Sequence, residues 1–305
     1  MSIKIRKPFK FNRYILFEYW GGKPIRGILF KASTILSKKA DCDERRDMDE
    51  INSLRKDIID MVYHSSEGHI PSALCILDII HVLYKKILRF DQDNPEWGGR
   101  DYFILSKGHG CAALYAVLAD NGFFGKEELK TYCDFNGILG GHPDRNKVPG
   151  VEASTGSLGH GLPIGIGIAL AMKILKRDNK VIVLIGDGES NEGPIWESAQ
   201  VAKNLSLDNL IVIVDKNKSQ AYSVDYDYKK IWSGFGWEAE EMDGHNHKEI
   251  EEKVRMLLDS SSKKPKIIIA STIKGKGVSF MENNPEWHHK SPDEETYNKI
   301  IEELK

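Results

Sequence analysis

The sequence predicts an α/β protein with a mostly parallel sheet and helices on both faces. Two aliphatic, largely β-branched runs at 181–185 and 210–214 have the composition of buried strands, and a helix-compatible stretch at 194–204 separates them. A strand, a helix and a second strand in this order form a parallel pair, since the helix carries the chain back along the sheet. A third apolar run at 266–270 predicts a further strand of the same kind.

Helical spacing of apolar residues predicts the elements around this sheet. A helix is expected over residues 47–65, and a second from Ser72, as its N-cap, to about Leu88. Residues 101–105 predict a short strand followed by a helix over 111–119. The charged stretch 293–305 is expected to form a surface helix.

Polar residues follow the two central strands directly. Gly186-Asp187-Gly188 comes after the first strand, and Asn217 and Ser219 come after the second. Open α/β sheets bind ligands at the carboxyl ends of their strands. The Asp187 carboxylate, the Asn217 amide oxygen and a backbone carbonyl at Ser219 are hard oxygen ligands, suited to Mg²⁺ or Ca²⁺. Because Mg²⁺ usually shares its ligand shell with phosphates, a metal-bridged diphosphate site is predicted; an ordinary Gly-Asp turn is the alternative.

This order of residues resembles a known cofactor motif. Gly186-Asp187-Gly188 followed by a helix, a strand and Asn217 resembles the thiamine diphosphate motif, and the surrounding residues resemble the N-terminal, diphosphate-binding half of transketolase. The resemblance extends from Met48 to Pro292. It implies thiamine diphosphate as cofactor, with Mg²⁺ or Ca²⁺, and it assigns the two glycines and Asp187 to cofactor binding together with Asn217.

Composition excludes several other classes of protein. The net charge of −2 over 305 residues gives no general case for nucleic-acid binding, and no apolar run reaches membrane-spanning length. The four cysteines are scattered without a CxxC pair, which argues against a zinc site and against a disulfide framework. A reducing, cytoplasmic location is therefore expected.

Residues 1–40 differ from the rest of the chain. They contain ten Lys or Arg and a single acid, Glu18, with aromatic residues between them. We interpret them as a basic N-terminal extension, and residues 41–305 as the thiamine diphosphate-binding domain. A transit peptide, an anionic surface or a partner groove would also suit the basic balance.

Three histidines follow glycine at breaks between elements: His69, His109 and His142. Neutral imidazoles bind sugar hydroxyls and carry protons near pH 7, whereas the spacing of these three matches no zinc signature. The resemblance implies that His69 and His142 face the sugar and that His109 lies near the diphosphate. It also places one residue of the His288-His289 pair over the diphosphate, and we favour His288. The four predicted catalytic histidines are therefore His69, His109, His142 and His288.

A glycine-rich segment precedes an apolar helix predicted over 162–175, which we expect to be buried. The resemblance implies that Gly156, Ser157 and Leu158 hold the aminopyrimidine of the cofactor and that His160 faces it. Ser157 stands where the family has proline. Glu192 matches a family glutamate at a subunit contact that couples paired cofactor sites.

The family's second half has no counterpart in this sequence. In transketolases that half supplies the glutamate that activates the cofactor. We therefore expect the N-terminal subunit of a two-chain enzyme, active only with a C-terminal partner subunit, with two copies of each. It would transfer a two-carbon ketol unit from a ketose phosphate to an aldose. A deoxyxylulose-phosphate-synthase-like carboligase using pyruvate, and a non-catalytic scaffold that retains the fold, are the alternatives.

Overall fold

The structure is a computed structural model that describes residues 47–218 and 227–305. Residues 49–305 form one compact unit, which carries the elements described below apart from the first two residues of the first helix. The predicted basic extension and the predicted metal ligand Ser219 lie outside the described residues. Over the two described ranges, no helix is long and apolar enough to cross a membrane.

Within the described residues, five parallel strands form one sheet in the order β1-β2-β3-β5-β4, which confirms the predicted fold class. The strands are β1 (Tyr102–Leu105), β2 (Val181–Gly186), β3 (Leu210–Lys216), β4 (Glu238–Asp243) and β5 (Lys266–Ser271). Strand β4 was not expected, because its sequence is rich in glutamate and carries no apolar run. It lies at the edge of the sheet, where most of its residues are partly or fully exposed.

Helices cover both faces of this sheet. They are α1 (residues 47–65), α2 (Ile70–Leu74), α3 (Leu77–Val82), α4 (Cys111–Asp120), α5 (Gly161–Ile174), α6 (Gly193–Asn204), α7 (Tyr228–Gly234), α8 (His247–Leu258) and α9 (Glu294–Glu303). Alternate strand residues enter two separate cores. Ile182 and Leu184 pack in the core with α1–α4, α8 and α9, whereas Val181 and Val183 pack in the core with α5–α7. This alternation is the period-two geometry of a strand buried on both faces.

The predicted helix from Ser72 to Leu88 is wrong in its start and in its continuity. The helix begins at Ile70 with Pro71 in its first turn, where a missing N–H and a fixed φ are tolerated, and Ser72 is buried inside it. The helical hydrogen-bond pattern is then interrupted at Cys75–Ile76, although both residues keep right-handed helical dihedral angles. The Ser72 carbonyl accepts a hydrogen bond from the Lys107 ammonium at 3.2 Å. The Ile76 N–H, which would bond to that carbonyl in a continuous helix, donates to the Ala73 carbonyl instead. A buried charge from another segment therefore interrupts the helix.

Helix α5 packs on the sheet through one face only. Gly165 lies against Val183 of β2, so closely that a Cβ on the glycine would stand 2.5 Å from a valine methyl. On the outer side Ile164, Ile174 and Leu175 are exposed. The expectation of a fully buried helix is therefore wrong for this face, because an apolar sequence does not specify which neighbour covers it.

Two glycines of α5 give a matched test of this packing. Gly165→Ala should destabilise the chain by about 1–3 kcal/mol, because the new methyl collides with a stiff β-branched side chain. Gly167→Ala should stabilise it by about 0.5–1 kcal/mol, since a Cβ at Gly167 meets no atom of the described residues within 4 Å and alanine favours the helix. Urea unfolding of both variants checks the pair. Equal effects of the two substitutions would contradict the observed orientation of α5.

Candidate functional site

The carboxyl ends of four strands bring polar segments from distant parts of the sequence together. Ser106 and Lys107 follow β1, Asp187 follows β2, Asn217 follows β3 and Thr272 follows β5. The Asp187 N–H donates to the Asp215 carbonyl at 3.1 Å, so the ends of β2 and β3 adjoin. The parallel topology therefore brings Asp187 and Asn217 to the same edge of the sheet, as the sequence predicts.

A fully buried carboxylate, Asp215, lies beneath this edge. It accepts hydrogen bonds from Lys107 Nζ at 2.6 Å, from Asn217 Nδ2 at 2.7 Å, from Thr272 Oγ1 and from Cys75 Sγ at 3.1 Å. Burial acts to raise the pKa of Asp215, but the Lys107 ammonium and the other donors lower it overall. Burial likewise acts to lower the pKa of Lys107, and Asp215 raises it overall. The pair is therefore ionised and fixes four segments of the chain.

Asp187 and Asn217 present the ligand types expected for a hard cation. Asp187 is buried and its Oδ1 accepts the Gly188 N–H at 2.7 Å. Burial, and then the neighbouring Asp215, raise the pKa of Asp187, so a bound cation would offset both effects. The amide of Asn217 points its nitrogen at Asp215, which puts its oxygen on the opposite side of the amide group. A carboxylate and an amide oxygen suit Mg²⁺.

This predicted ligand set contains a single carboxylate. Within residues 47–218 and 227–305, no three His, Cys, Asp or Glu side chains are grouped as metal ligands. The predicted set of Asp187, Asn217 and the Ser219 carbonyl differs from such a group, because two of its three ligands are an amide oxygen and a peptide oxygen. Its third member lies in the part of the chain that is not described.

A second buried carboxylate, Glu189, connects the strand ends to the glycine-rich segment before α5. It accepts hydrogen bonds from Ser106 Oγ, from Gly159 N–H at 2.8 Å and from Gly186 N–H at 3.0 Å. Burial raises the pKa of Glu189, although these donors oppose the shift. Glu189 therefore fixes the position of the segment that the sequence assigns to the aminopyrimidine.

That segment, residues 156–160, requires glycine at two positions. Gly156 has φ +153°, and a Cβ there would stand 3.0 Å from the His142 ring. Gly159 has φ +83°, and a Cβ there would stand 2.7 Å from the Cβ of Glu192. The predicted residue His142 therefore packs closely against Gly156, and Glu192 packs closely against Gly159.

The side chains of this segment face outward to different extents. Ser157 and His160 are exposed and Leu158 is half-buried. The His160 Nδ1 lies 3.0 Å from the Leu158 carbonyl and 3.3 Å from Ser157 Oγ. Glu192, at the N-terminus of α6, is also exposed. These four predicted cofactor residues therefore lie on an open edge of the domain.

Four imidazoles form a cluster beside the strand ends, and we call His69, His109, His288 and His289 the histidine cluster. The His69 ring lies 5.2 Å from that of His109, 5.4 Å from that of His288 and 4.5 Å from that of His289, between centroids. Three of the four predicted catalytic histidines therefore meet. His142 is exposed and lies close enough to His69 to affect its charge.

The two neighbouring histidines of the sequence have different surroundings. His288 Nδ1 lies 2.8 Å from the ammonium of Lys274, a buried lysine. His289 is 55% exposed and lies 3.7 Å from the carboxylate of Glu67. Both histidines are exposed, and they differ in partner: His288 contacts a buried lysine, whereas His289 lies near an exposed carboxylate.

Three imidazoles of the histidine cluster are held neutral at physiological pH. Burial, followed by the charge of His289, lowers the pKa of His69 to about 4. Burial and then Lys107 lower the pKa of His109 far below its usual range, and burial and then Lys274 lower the pKa of His288. Because the charge of Lys107 is offset by Asp215, Lys274 beside these imidazoles is the lysine that makes this region favourable for an anion.

Several residues of the site were not predicted from the sequence. Lys107, Asp215 and Glu189 are buried charges whose partners are distant in sequence. Lys274, in the loop after β5, is likewise mostly buried, with 9% of its surface exposed. A signal existed for Lys107 and Asp215, because both stand at the end of an apolar strand, where a charge needs a partner.

Fold and site together define a diphosphate-binding α/β domain with a site open at one edge. Residues 46–303 match the family described as "Transketolase, thiamine diphosphate binding domain". The chain belongs to the transketolase family. This confirms the predicted family, its transferase class and thiamine diphosphate as its cofactor.

The chain is similar to named subunits along nearly their whole length. One is a subunit of the apulose-4-phosphate transketolase of Phocaeicola vulgatus, to which it is 41% identical over 256 residues, covering 82% of this chain and 90% of that protein. It is 37% identical over 261 residues to the 6-deoxy-6-sulfo-D-fructose transketolase subunit SqwG of a Clostridium species, covering 84% and 94%. The expectation of a ketol-transferring subunit is confirmed by these relatives.

Solved transketolases share the fold but are much longer. The transketolase of Leishmania mexicana superposes with a TM-score of 0.80 at 28% identity, covering 85% of this chain and 41% of that one. The transketolase of Campylobacter jejuni gives a TM-score of 0.79 at 31% identity, covering 85% and 42%. The chain therefore corresponds to well under half of a full-length transketolase chain.

The low pKa of His69 predicts a pH dependence of stability. Between about pH 4 and 6.5 the unfolded chain binds a proton at His69 that the folded chain excludes, so His69 costs stability as the pH falls through this range. His69→Gln should therefore flatten the pH dependence of the free energy of unfolding below pH 6.5. Urea unfolding at several pH values measures the slope. An imidazole titration by NMR with a His69 midpoint above 6 would contradict the prediction.

Proposed function

We propose that this chain is the diphosphate-binding subunit of a two-chain transketolase, which transfers a two-carbon ketol unit from a ketose phosphate to an aldose. The observation that carries the proposal is the convergence of Asp187 and Asn217 with the histidine cluster at one open edge of the sheet. The arrangement provides oxygen ligands for a metal, cationic surroundings for a diphosphate and neutral imidazoles for a sugar.

The residues present fit thiamine diphosphate and a divalent metal. Asp187 and Asn217, with the Ser219 carbonyl, would hold Mg²⁺ or Ca²⁺ against the diphosphate. Among the described residues, a Cβ at Gly188 would meet no atom within 4 Å, so this part of the chain leaves space for such a group beside the β2 terminus. When bound, thiamine diphosphate supplies the nucleophilic carbon and the electron sink for cleaving and forming a bond beside a ketone.

The protein groups would bind, orient and carry protons. His69, His109, His142 and His288 are proposed to contact the reacting sugar and the cofactor. In its neutral form each imidazole can donate one hydrogen bond and accept another, and so pass a proton to or from a sugar hydroxyl. His288 accepts from Lys274 through Nδ1, which directs its Nε2–H away from the lysine.

The open edge indicates a partner chain. Gly156, Ser157, Leu158 and His160 are proposed to hold one side of the aminopyrimidine, and a C-terminal subunit would cover the other side and supply the activating glutamate. Two relatives of nearly the same length are named as subunits. We propose a heterotetramer with two copies of each chain, in which Glu192 lies at the contact between paired sites, and a cytoplasmic location.

The substrate is proposed to be a sugar phosphate bearing free hydroxyls next to the reacting carbon. The relatives are named for apulose 4-phosphate and for 6-deoxy-6-sulfo-D-fructose, which share a polyhydroxylated chain and differ in their anionic group. The neutral imidazoles of the histidine cluster suit the shared part. Recognition of the anionic group is assigned to the partner chain.

Removal of a metal ligand should weaken cofactor binding by the assembled enzyme. Asp187→Ala and Asn217→Ala are each expected to reduce Mg²⁺-dependent affinity for thiamine diphosphate at least tenfold, about 1.4 kcal/mol, because diphosphate repulsion is no longer offset. Calorimetric titration measures the change. Asp259→Ala is the matched control, since this exposed carboxylate follows α8, at the opposite end of the strands. Unchanged affinity in both site variants would remove the metal assignment.

The lone chain should lack ketol transfer. Because the proposed activating glutamate belongs to a second chain, activity is expected only after addition of a C-terminal transketolase subunit. A coupled assay with a ketose phosphate donor, with and without that subunit, tests this. Turnover by the isolated chain at a rate that the added subunit does not change would show that the two-chain proposal is wrong.

A further inference from the structure

A buried cluster lies behind the loop that follows β5. Asp78 of α3 receives hydrogen bonds from His245 Nδ1 at 2.9 Å, from His247 Nε2 at 2.8 Å and from the Arg55 guanidinium at 3.2 Å. We call these four residues the Asp78 cluster. Asp78 and Arg55 are almost fully buried, and both histidines are mostly buried.

The two histidines of the Asp78 cluster differ in their second contact. The Nε2 of His245 accepts the backbone N–H of Ile273 at 2.8 Å. Because Nε2 accepts, the ring proton stands on Nδ1 and is donated to Asp78, so His245 is held as one neutral tautomer. In the described part of the chain, the ring hydrogen bond of His247 goes to Asp78. His245 alone of the two therefore joins the cluster to residue 273.

Gly244 makes this contact possible. A Cβ on Gly244 would stand 2.5 Å from a carbon of the Thr272 side chain, and the Gly244 N–H donates to the Ser271 carbonyl at 2.8 Å. The ends of β4 and β5 thus approach closely enough for the next residue, His245, to reach the Ile273 peptide.

Ile273 stands between two residues of the site. Thr272 donates its hydroxyl to Asp215, and Lys274 Nζ lies 2.8 Å from His288 Nδ1. The peptide nitrogen held by His245 therefore sets the path of the backbone from the buried carboxylate to the lysine that contacts the histidine cluster.

We propose that His245 is a positioning residue for ketol transfer: held by Asp78, it fixes the Ile273 peptide and thereby the placement of Lys274 against His288. The catalytic part of this inference depends on the function proposed above. In this proposal His245 contacts neither substrate nor cofactor, and it acts through the loop that follows β5.

The first experiment measures the loop directly in the full chain without cofactor. His245→Ala should increase hydrogen exchange at residues 272–275 by about tenfold, because the Ile273 N–H loses its acceptor. His247→Ala is the matched control: it removes an equal number of hydrogen bonds from Asp78 and should leave this segment protected. His245→Gln, whose amide supplies both a donor and an acceptor, should restore part of the protection. Equal exchange in the two alanine variants would overturn the proposal.

The second experiment measures ketol transfer with the C-terminal subunit present. His245→Ala should lower kcat about tenfold or more while His247→Ala stays within about threefold of wild type, since small misplacements of site groups cost rate. A thermal melt of both variants separates positioning from general destabilisation. Increased exchange with unchanged kcat would also overturn the positioning role. A wild-type enzyme that neither binds thiamine diphosphate nor transfers ketol would instead refute the proposed function, and the exchange comparison would still decide the link from His245 to Ile273.

Discussion

The buried ion pair between Lys107 and Asp215 is the interaction on which the rest of the site depends. Each charge is almost fully buried, so either one alone would carry a desolvation cost of several kcal/mol. Their attraction, with the Asn217, Thr272 and Cys75 donors, offsets that cost. Loss of one partner from such a pair typically costs about 3–5 kcal/mol. Because the donors come from the ends of three strands and from the end of α2, this carboxylate sets the relative positions of the residues above it.

Hydrogen bonds to buried carboxylates determine much of the remaining geometry. Glu189 holds the glycine-rich segment before α5, and Asp78 holds the loop after β5 through His245. Loops supply most of the predicted contacts to cofactor and sugar, and a loop has little intrinsic order. Burying a carboxylate under each loop gives it a fixed acceptor, which orders the backbone before any ligand binds.

The candidate site has a histidine-rich part over the strand ends and a second part on an exposed edge. Lysines and neutral imidazoles lie over the ends of the strands, whereas Ser157, His160 and Glu192 lie on an exposed edge. The outer face of α5 is apolar and also exposed. Such exposed surfaces are typical of a domain that shares its catalytic site with another domain, because the other domain covers them in the assembled enzyme. The named relatives, which are subunits of similar length, agree with this interpretation.

The sequence by itself determined the fold class, the strands β1, β2, β3 and β5, the Gly186-Asp187-Gly188 and Asn217 clusters, and three histidines that meet. The strands follow from a local rule, since aliphatic runs specify buried strands, whereas the roles of the site residues, His288 among them, were implied by the resemblance to a known family. Only the tertiary structure decided the interruption after Ser72, the edge strand β4, the exposed face of α5, and the roles of Lys107, Asp215, Glu189 and His245. Each of these depends on a partner far along the chain, and the burial of a charge or of an apolar face is a property of the assembled neighbours rather than of the local sequence.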